Sequence, residues 1–294
     1  MEIFGIPSQA LFGQLLIGLI NGSFYALLSL GLAVIFGLLN IINFTHGAQY
    51  MLGAFCAYLF LDKLGVGYWW SLLIAPVVVG VTGVIIERTM LSKLYKLDHL
   101  YGLLLTFGLA LIIQGLFRNE FGSSGLPYRI PQELQGSQNL GFMFLPNYRA
   151  WVIVVSLVVC LATWYVIERT KLGAYLRAAT ENPQLVQAFG INVPRMITLT
   201  YGFGVALAAF AGVMAAPIYQ VNPLMGADLI IVVFAVVVIG GMGSIMGAIV
   251  TGFGLGIIEG LTKVFYPEAS NTVIFIIMAI VLMFKPAGLF GTQK

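Results

Sequence analysis

The stretch IFGIPSQALFGQLLIGLINGSFYALLSLGLAVIFGLLNIINFTHGAQYMLGAFCAYLFL, residues 3–61, decides the fold. It runs for 59 residues without a single Asp, Glu, Lys or Arg. One helical membrane span needs only about 20 predominantly apolar residues, so this run is long enough for more than two. The rest of the chain agrees. Of its 294 residues, 60% are hydrophobic and 9% charged, where a soluble domain carries roughly 25% charge. Even a large soluble domain cannot bury that much apolar chain, and a disordered chain would be polar. The sequence therefore predicts an all-α polytopic membrane protein, one transmembrane domain over residues 1–294. Its 35 glycines imply helices that are interrupted or pack closely on one another.

Charge-free runs place spans at roughly 9–30, 31–61 (interrupted), 69–86, 100–117, 150–167, 197–218, 229–258 (interrupted) and 271–284, about eight transmembrane helices. The N-terminus carries Glu2 and no Lys or Arg. It lacks the basic region of a cleaved signal peptide, so the first apolar run is expected to remain as a span. Arg88, Lys93 and Lys96 in one short loop, and Arg169, Lys171, Arg177 and Arg195 in another, put both loops in the cytoplasm. The segment 118–149 then lies outside, and 168–196 is cytoplasmic. Lys285 and Lys294 point to a cytoplasmic C-terminus, whereas eight simple crossings from an external N-terminus put it outside.

Two interrupted segments resemble each other: GLLNIINFTHGAQYMLGAF (37–55) and VVIGGMGSIMGAIVTGFG (237–254). Each is an apolar half-helix, a polar or glycine break and a restart. Such a weak internal repeat is how transporter folds build a pathway. The first break gathers Asn40, Asn43, Thr45, His46 and Gln49 within ten residues. Unpaired polar groups in hydrocarbon cost several kcal/mol each, so the cluster must be buried in protein or line water. It either forms part of a translocation path or satisfies a broken backbone and joins helices. The second break, Gly240, Gly241, Met242, Gly243 and Ser244, lets a solute or a neighbouring helix approach the backbone.

Other chemistry is sparse. His46 and His99 are the only histidines, which predicts no metal site, and Cys56 and Cys160 read as small buried hydrophobes. No Walker lysine follows the glycines, so the chain is not expected to bind ATP itself. The net charge of +3 is scattered, and nucleic acid is not an expected partner. Gly122-Ser123-Ser124-Gly125 reads as a turn, with no histidine after it to make an enzyme. Glu87-Arg88 and Glu168-Arg169 close their spans and read as snorkelling anchors. Asp228 and Glu259 fall at the ends of the second interrupted segment, which argues against proton coupling.

The cytoplasmic stretch RAATENPQLVQAFGINVPRM (177–196) is more informative. Asn182 is a good N-cap, Pro183 suits the first helical position, and Gly190 can end the helix in a left-handed conformation. Leu185, Val186, Ala188 and Phe189 give that short helix an apolar load. It is either a knob for a soluble partner or an interfacial helix lying on lipid.

These stretches carry a resemblance. Residues 21–55, 177–192, 207–223 and 237–259, about a third of the chain, resemble the permeases of branched-chain amino acid ABC importers, the LivH-like branch. The resemblance implies one half of a heterodimer with a second, homologous permease. Two cytoplasmic ATPases would carry ATP and Mg, an external binding protein would deliver a small polar solute, and the chain would hold no cofactor. It implies residence in the cytoplasmic (inner) membrane of a bacterium or archaeon. It also makes Glu181 through Gly190 an ATPase-coupling element. Related permeases for urea and short amides, or a self-sufficient transporter or channel, are the alternatives.

Overall fold

A computed structural model describes residues 2–3, 6–39, 43–95, 97–141 and 143–291. The described residues form eleven α-helices: α1 (Ser8–Leu39), α2 (Thr45–Leu64), α3 (Tyr68–Thr89), α4 (His99–Phe121), α5 (Asn147–Arg169), α6 (Lys171–Glu181), α7 (Pro183–Ala188), α8 (Val193–Tyr219), α9 (Ala227–Gly240), α10 (Ile245–Phe265) and α11 (Val273–Phe284). Six of them are long and apolar enough to cross a membrane, and α9 and α11 are shorter apolar helices. Among the described residues strand is confined to two small hairpins, β1 (Glu2–Ile3) with β2 (Ile6–Pro7) and β3 (Ser137–Asn139) with β4 (Phe144–Pro146). The chain is a polytopic all-α membrane protein.

The span boundary expected near residue 30 does not exist. α1 continues for 32 residues, from Ser8 to Leu39. Nothing in it lacks a backbone donor, because it holds no proline. Gly18, Gly22 and Gly31 lie against other helices, where packing offsets their low helix propensity. Both interruptions become junctions between separate helices, α1 to α2 and α9 to α10.

The chain groups into two compact units: Met1–Ser29, Ile130–Leu161 and Val232–Lys294 in one, Leu30–Arg129 and Ala162–Ile231 in the other. In the first, Gly18 and Gly22 of α1 face Gly252, Gly256 and Gly260 of α10. A Cβ on Gly18 would overlap the Gly256 carbonyl oxygen, and one on Gly256 would overlap that of Gly18. Four-residue spacing of small residues on both helices permits this backbone contact, the usual basis of helix association in lipid. Tyr25 donates to buried Glu259 at 2.7 Å, and Lys263 pairs with the same carboxylate at 2.5 Å. Glu259 thus lies inside α10 with its charge compensated, rather than at the end of a segment. The helix runs on to Phe265, past the edge expected from the sequence at residue 258.

In the second unit α8 is the central post. Gly202 and Gly204 on it meet Gly80 of α3 and Gly31 of α1, while a Cβ on Gly53 of α2 would overlap the Ala209 carbonyl. Ile35, Val79, Leu91, Tyr201, Val205 and Ala209 form a fully buried cluster there. The segment after α4 is tied to the segment after α8 by a two-bond bridge. Leu126 N donates to Val221 O at 2.8 Å, and Val221 N to Leu126 O at 2.9 Å.

Candidate substrate path and coupling surface

The first break sits in the second unit, at the N-terminal turn of α2. Asn40 lies outside the described residues. Asn43, Thr45, His46 and Gln49 are each no more than 1% exposed, so the cluster is buried in protein. Asn43 Nδ2 donates to Gln49 Oε1 at 3.2 Å. Thr45 Oγ1 donates to Thr106 O of α4 at 2.8 Å, and Phe44 N to Thr106 Oγ1 at 3.2 Å. The His46 ring packs over the Cα of Gly31, where a Cβ would sit 3.0 Å from Cε1. Tyr201 of α8, absent from the sequence reading, completes the group. Its hydroxyl approaches the Gln49 and Asn43 amides without meeting hydrogen-bond geometry.

Three atoms of this cluster, Asn43 Oδ1, Gln49 Nε2 and Tyr201 Oη, have no hydrogen-bond partner among the described residues. A buried unsatisfied group costs about 1–3 kcal/mol. The cluster therefore joins helices through Thr45 and Thr106, yet keeps spare donor and acceptor capacity. Thr106 and Tyr201 stand on other helices. Their distance along the chain is why sequence reasoning missed them.

The second break sits in the first unit. Gly240 packs on Gly247, Gly241 (φ 103°) and Gly243 (φ 85°) are left-handed, and Ser244 caps α10 by accepting from Gly247 N at 3.1 Å. The backbone that approaches these glycines is the chain's own C-terminal segment. Leu289 N donates to Ile239 O at 2.8 Å and Phe290 N to Gly240 O at 3.1 Å. A Cβ on Gly241 would stand 2.5 Å from Gly291 N. The first and second breaks thus fall in different units, and each is built separately.

The loop after α5 folds as the sequence predicts at its caps. Asn182 Oδ1 accepts from Leu185 N at 2.9 Å, Pro183 opens α7, and Gly190 adopts φ 83°. α7 spans six residues, Pro183–Ala188. Its load divides by helical phase. Val186 is buried against Ala179 and Val193, so it holds α7 onto its own unit. Leu185, Ala188 and Phe189 face outward, Phe189 at 78% exposure. Glu181, Asn182, Pro183 and Gly190 are also exposed.

Glu87 departs from the snorkelling reading. It is 2% exposed, and its two oxygens accept from Tyr95 Oη at 2.5 Å and Thr198 Oγ1 at 2.6 Å. One carboxylate thereby joins α3, the turn after it and α8. Burial, reinforced by this carboxylate, pushes the Tyr95 hydroxyl far above its ordinary range and keeps it a donor. Arg88 beside it is exposed, as is the Glu168–Arg177 pair at 3.3 Å.

A family model described as the permease component of branched-chain amino acid transport systems matches residues 14–282. This chain belongs to that family. It is 30% identical over 296 residues to the high-affinity branched-chain amino acid transport permease LivH of Escherichia coli K12, covering 96% of each chain. It is 30% identical over 294 residues to BraD of Pseudomonas aeruginosa, again covering 96% of each. Similarity extends to LivM of Escherichia coli K12, 28% identical over 92% of this chain and 68% of that one.

Proposed function

We propose that the chain is one half of the membrane path of an ATP-driven importer for branched-chain or closely related amino acids. It would work in a bacterial or archaeal inner membrane. Its partners would be a second permease, two cytoplasmic ATPases that carry ATP and Mg, and an external binding protein. Similarity both to LivH and to LivM supports a pairing of two like permeases. The chain itself supplies no ATPase chemistry.

The observation that carries this reading is α7. A capped helix of six residues, pinned by Val186, presents Leu185, Ala188 and Phe189 to the outside. An apolar knob on a rigid base suits a groove on a soluble partner. ATPase closure would press on α7 and, through α6 and α8, reorient the helices around the two breaks. The solute would pass Asn40, Asn43, Thr45, His46 and Gln49 on one side of the cycle and Gly240, Gly241, Gly243 and Ser244 on the other. The spare polar capacity at Asn43, Gln49 and Tyr201 supports that role, since groups left unsatisfied here gain partners when solute arrives.

The test is uptake and ATP hydrolysis by the reconstituted complex. Phe189→Asp should abolish uptake at least tenfold while the chain still inserts, because a desolvated charge in the docking groove costs several kcal/mol. Uptake at the unmodified rate would overturn the coupling role. Uptake without any ATPase would overturn the importer.

A further inference from the structure

The C-terminal end of α3, the turn after it and the N-terminal end of α8 enclose a cleft of about 580 Å³ within one unit. Arg88 and Arg195 line it, and neither guanidinium has an ion-pair or hydrogen-bond partner among the described residues. Glu87 lies at the base, with both oxygens already accepting from Tyr95 and Thr198. The cleft is therefore cationic at its rim.

Its apolar surroundings are ordered by helical spacing. On α8, Arg195 is followed at four-residue steps by Leu199 and Phe203, both exposed. On α3, Arg88 is preceded by Ile85 and Val81, also exposed. Residues three and four apart share one helix face. Each helix thus presents a stripe that begins with a cation at the span's end and continues as bare hydrocarbon along the span.

We propose that this cleft binds an acidic phospholipid, with its phosphate between Arg88 and Arg195 and its acyl chains along the two stripes. Planar guanidinium donors match phosphate oxygens, and a site at the end of two spans meets the headgroup layer. A free anion would use the arginines and ignore the stripes. Arginines that merely snorkel would show no headgroup preference.

Native mass spectrometry of the purified full chain, with phosphatidylglycerol and phosphatidylcholine supplied in equal amounts, tests the site. Wild type should retain phosphatidylglycerol preferentially and release it as ionic strength rises. At roughly 1 kcal/mol for each arginine near the membrane surface, Arg88→Gln with Arg195→Gln should bind phosphatidylglycerol about 30-fold more weakly. Phosphatidylcholine, a zwitterion whose trimethylammonium offsets its phosphate, should lose much less, and the melting temperature in phosphatidylcholine should not change. Lys93→Gln, which removes a nearby cation outside the cleft lining, should leave retention intact. Equal retention of both lipids, a salt-insensitive preference or full retention by the double variant would each overturn the proposal. So would inorganic phosphate competing as effectively as the lipid, which would make this a free-anion site.

Discussion

Gly31→Ala probes the packing behind the first break. Gly31 of α1 and Gly204 of α8 face each other reciprocally. A Cβ on Gly31 would sit 2.7 Å from Gly204 O and 3.0 Å from His46 Cε1, and one on Gly204 would sit 2.8 Å from Gly31 O. Ordinary contacts begin near 3.4 Å, so α1 must retreat from α8 by roughly 0.7 Å. Overpacking of this kind costs about 1–3 kcal/mol. Alanine returns up to about 1 kcal/mol through its better helix propensity. The net expectation is a loss of about 1–2 kcal/mol, with His46 pushed from its seat. Gly108→Ala in α4 is the control, because nothing lies within 4 Å of its Cβ position. That change should be neutral or slightly stabilising. Thermal unfolding of the full chain in mild detergent reads both. A combined Gly31→Ala/Gly204→Ala chain should lose less than the sum, since one retreat relieves both overlaps. A Gly31→Ala protein as stable as Gly108→Ala would refute the close approach of α1 and α8.

Glu87→Gln should cost about 1–2 kcal/mol, because an amide replaces a carboxylate that accepts from two hydroxyls. Glu87→Ala should cost more, and the ordering of the two melting temperatures checks it. Gly241→Leu should detach the segment around Gly291 from α9, because its backbone is left-handed and its Cβ space is filled. Faster limited proteolysis after Lys285, together with lost uptake, is the expected result; an unchanged cleavage rate would refute the contact.

Legibility in the sequence followed the range of the interaction. Absence of charge marks hydrocarbon-facing or buried helices wherever they lie, so most spans were readable, and so were the two breaks between residues 39 and 45 and between 240 and 245. Local capping was readable too: Asn182, Pro183 and Gly190 do what their chemistry dictates within one turn. What depended on distant partners was not. Nothing near residue 30 signals that α1 continues, because the glycines that would weaken it are supported by α8 and α10. Glu87 resembles any acid at a span end until Tyr95 and Thr198 are brought to it. Val186 differs from Leu185 only by helical phase against Ala179 and Val193. In the candidate path, the chain-local members were evident, whereas Thr106 and Tyr201 come from other helices.

The cover over the second break has a consequence for biosynthesis. Ile239 and Gly240 are buried, and among the described residues their carbonyls find donors in Leu289 and Phe290, about fifty residues later. During synthesis, α9 and α10 must leave the insertion machinery with those two carbonyls still uncapped. The junction closes only once the last helix has inserted and its trailing segment has folded back. A ribosome that stalls after α11 would release a chain with every long helix in place and this junction still open.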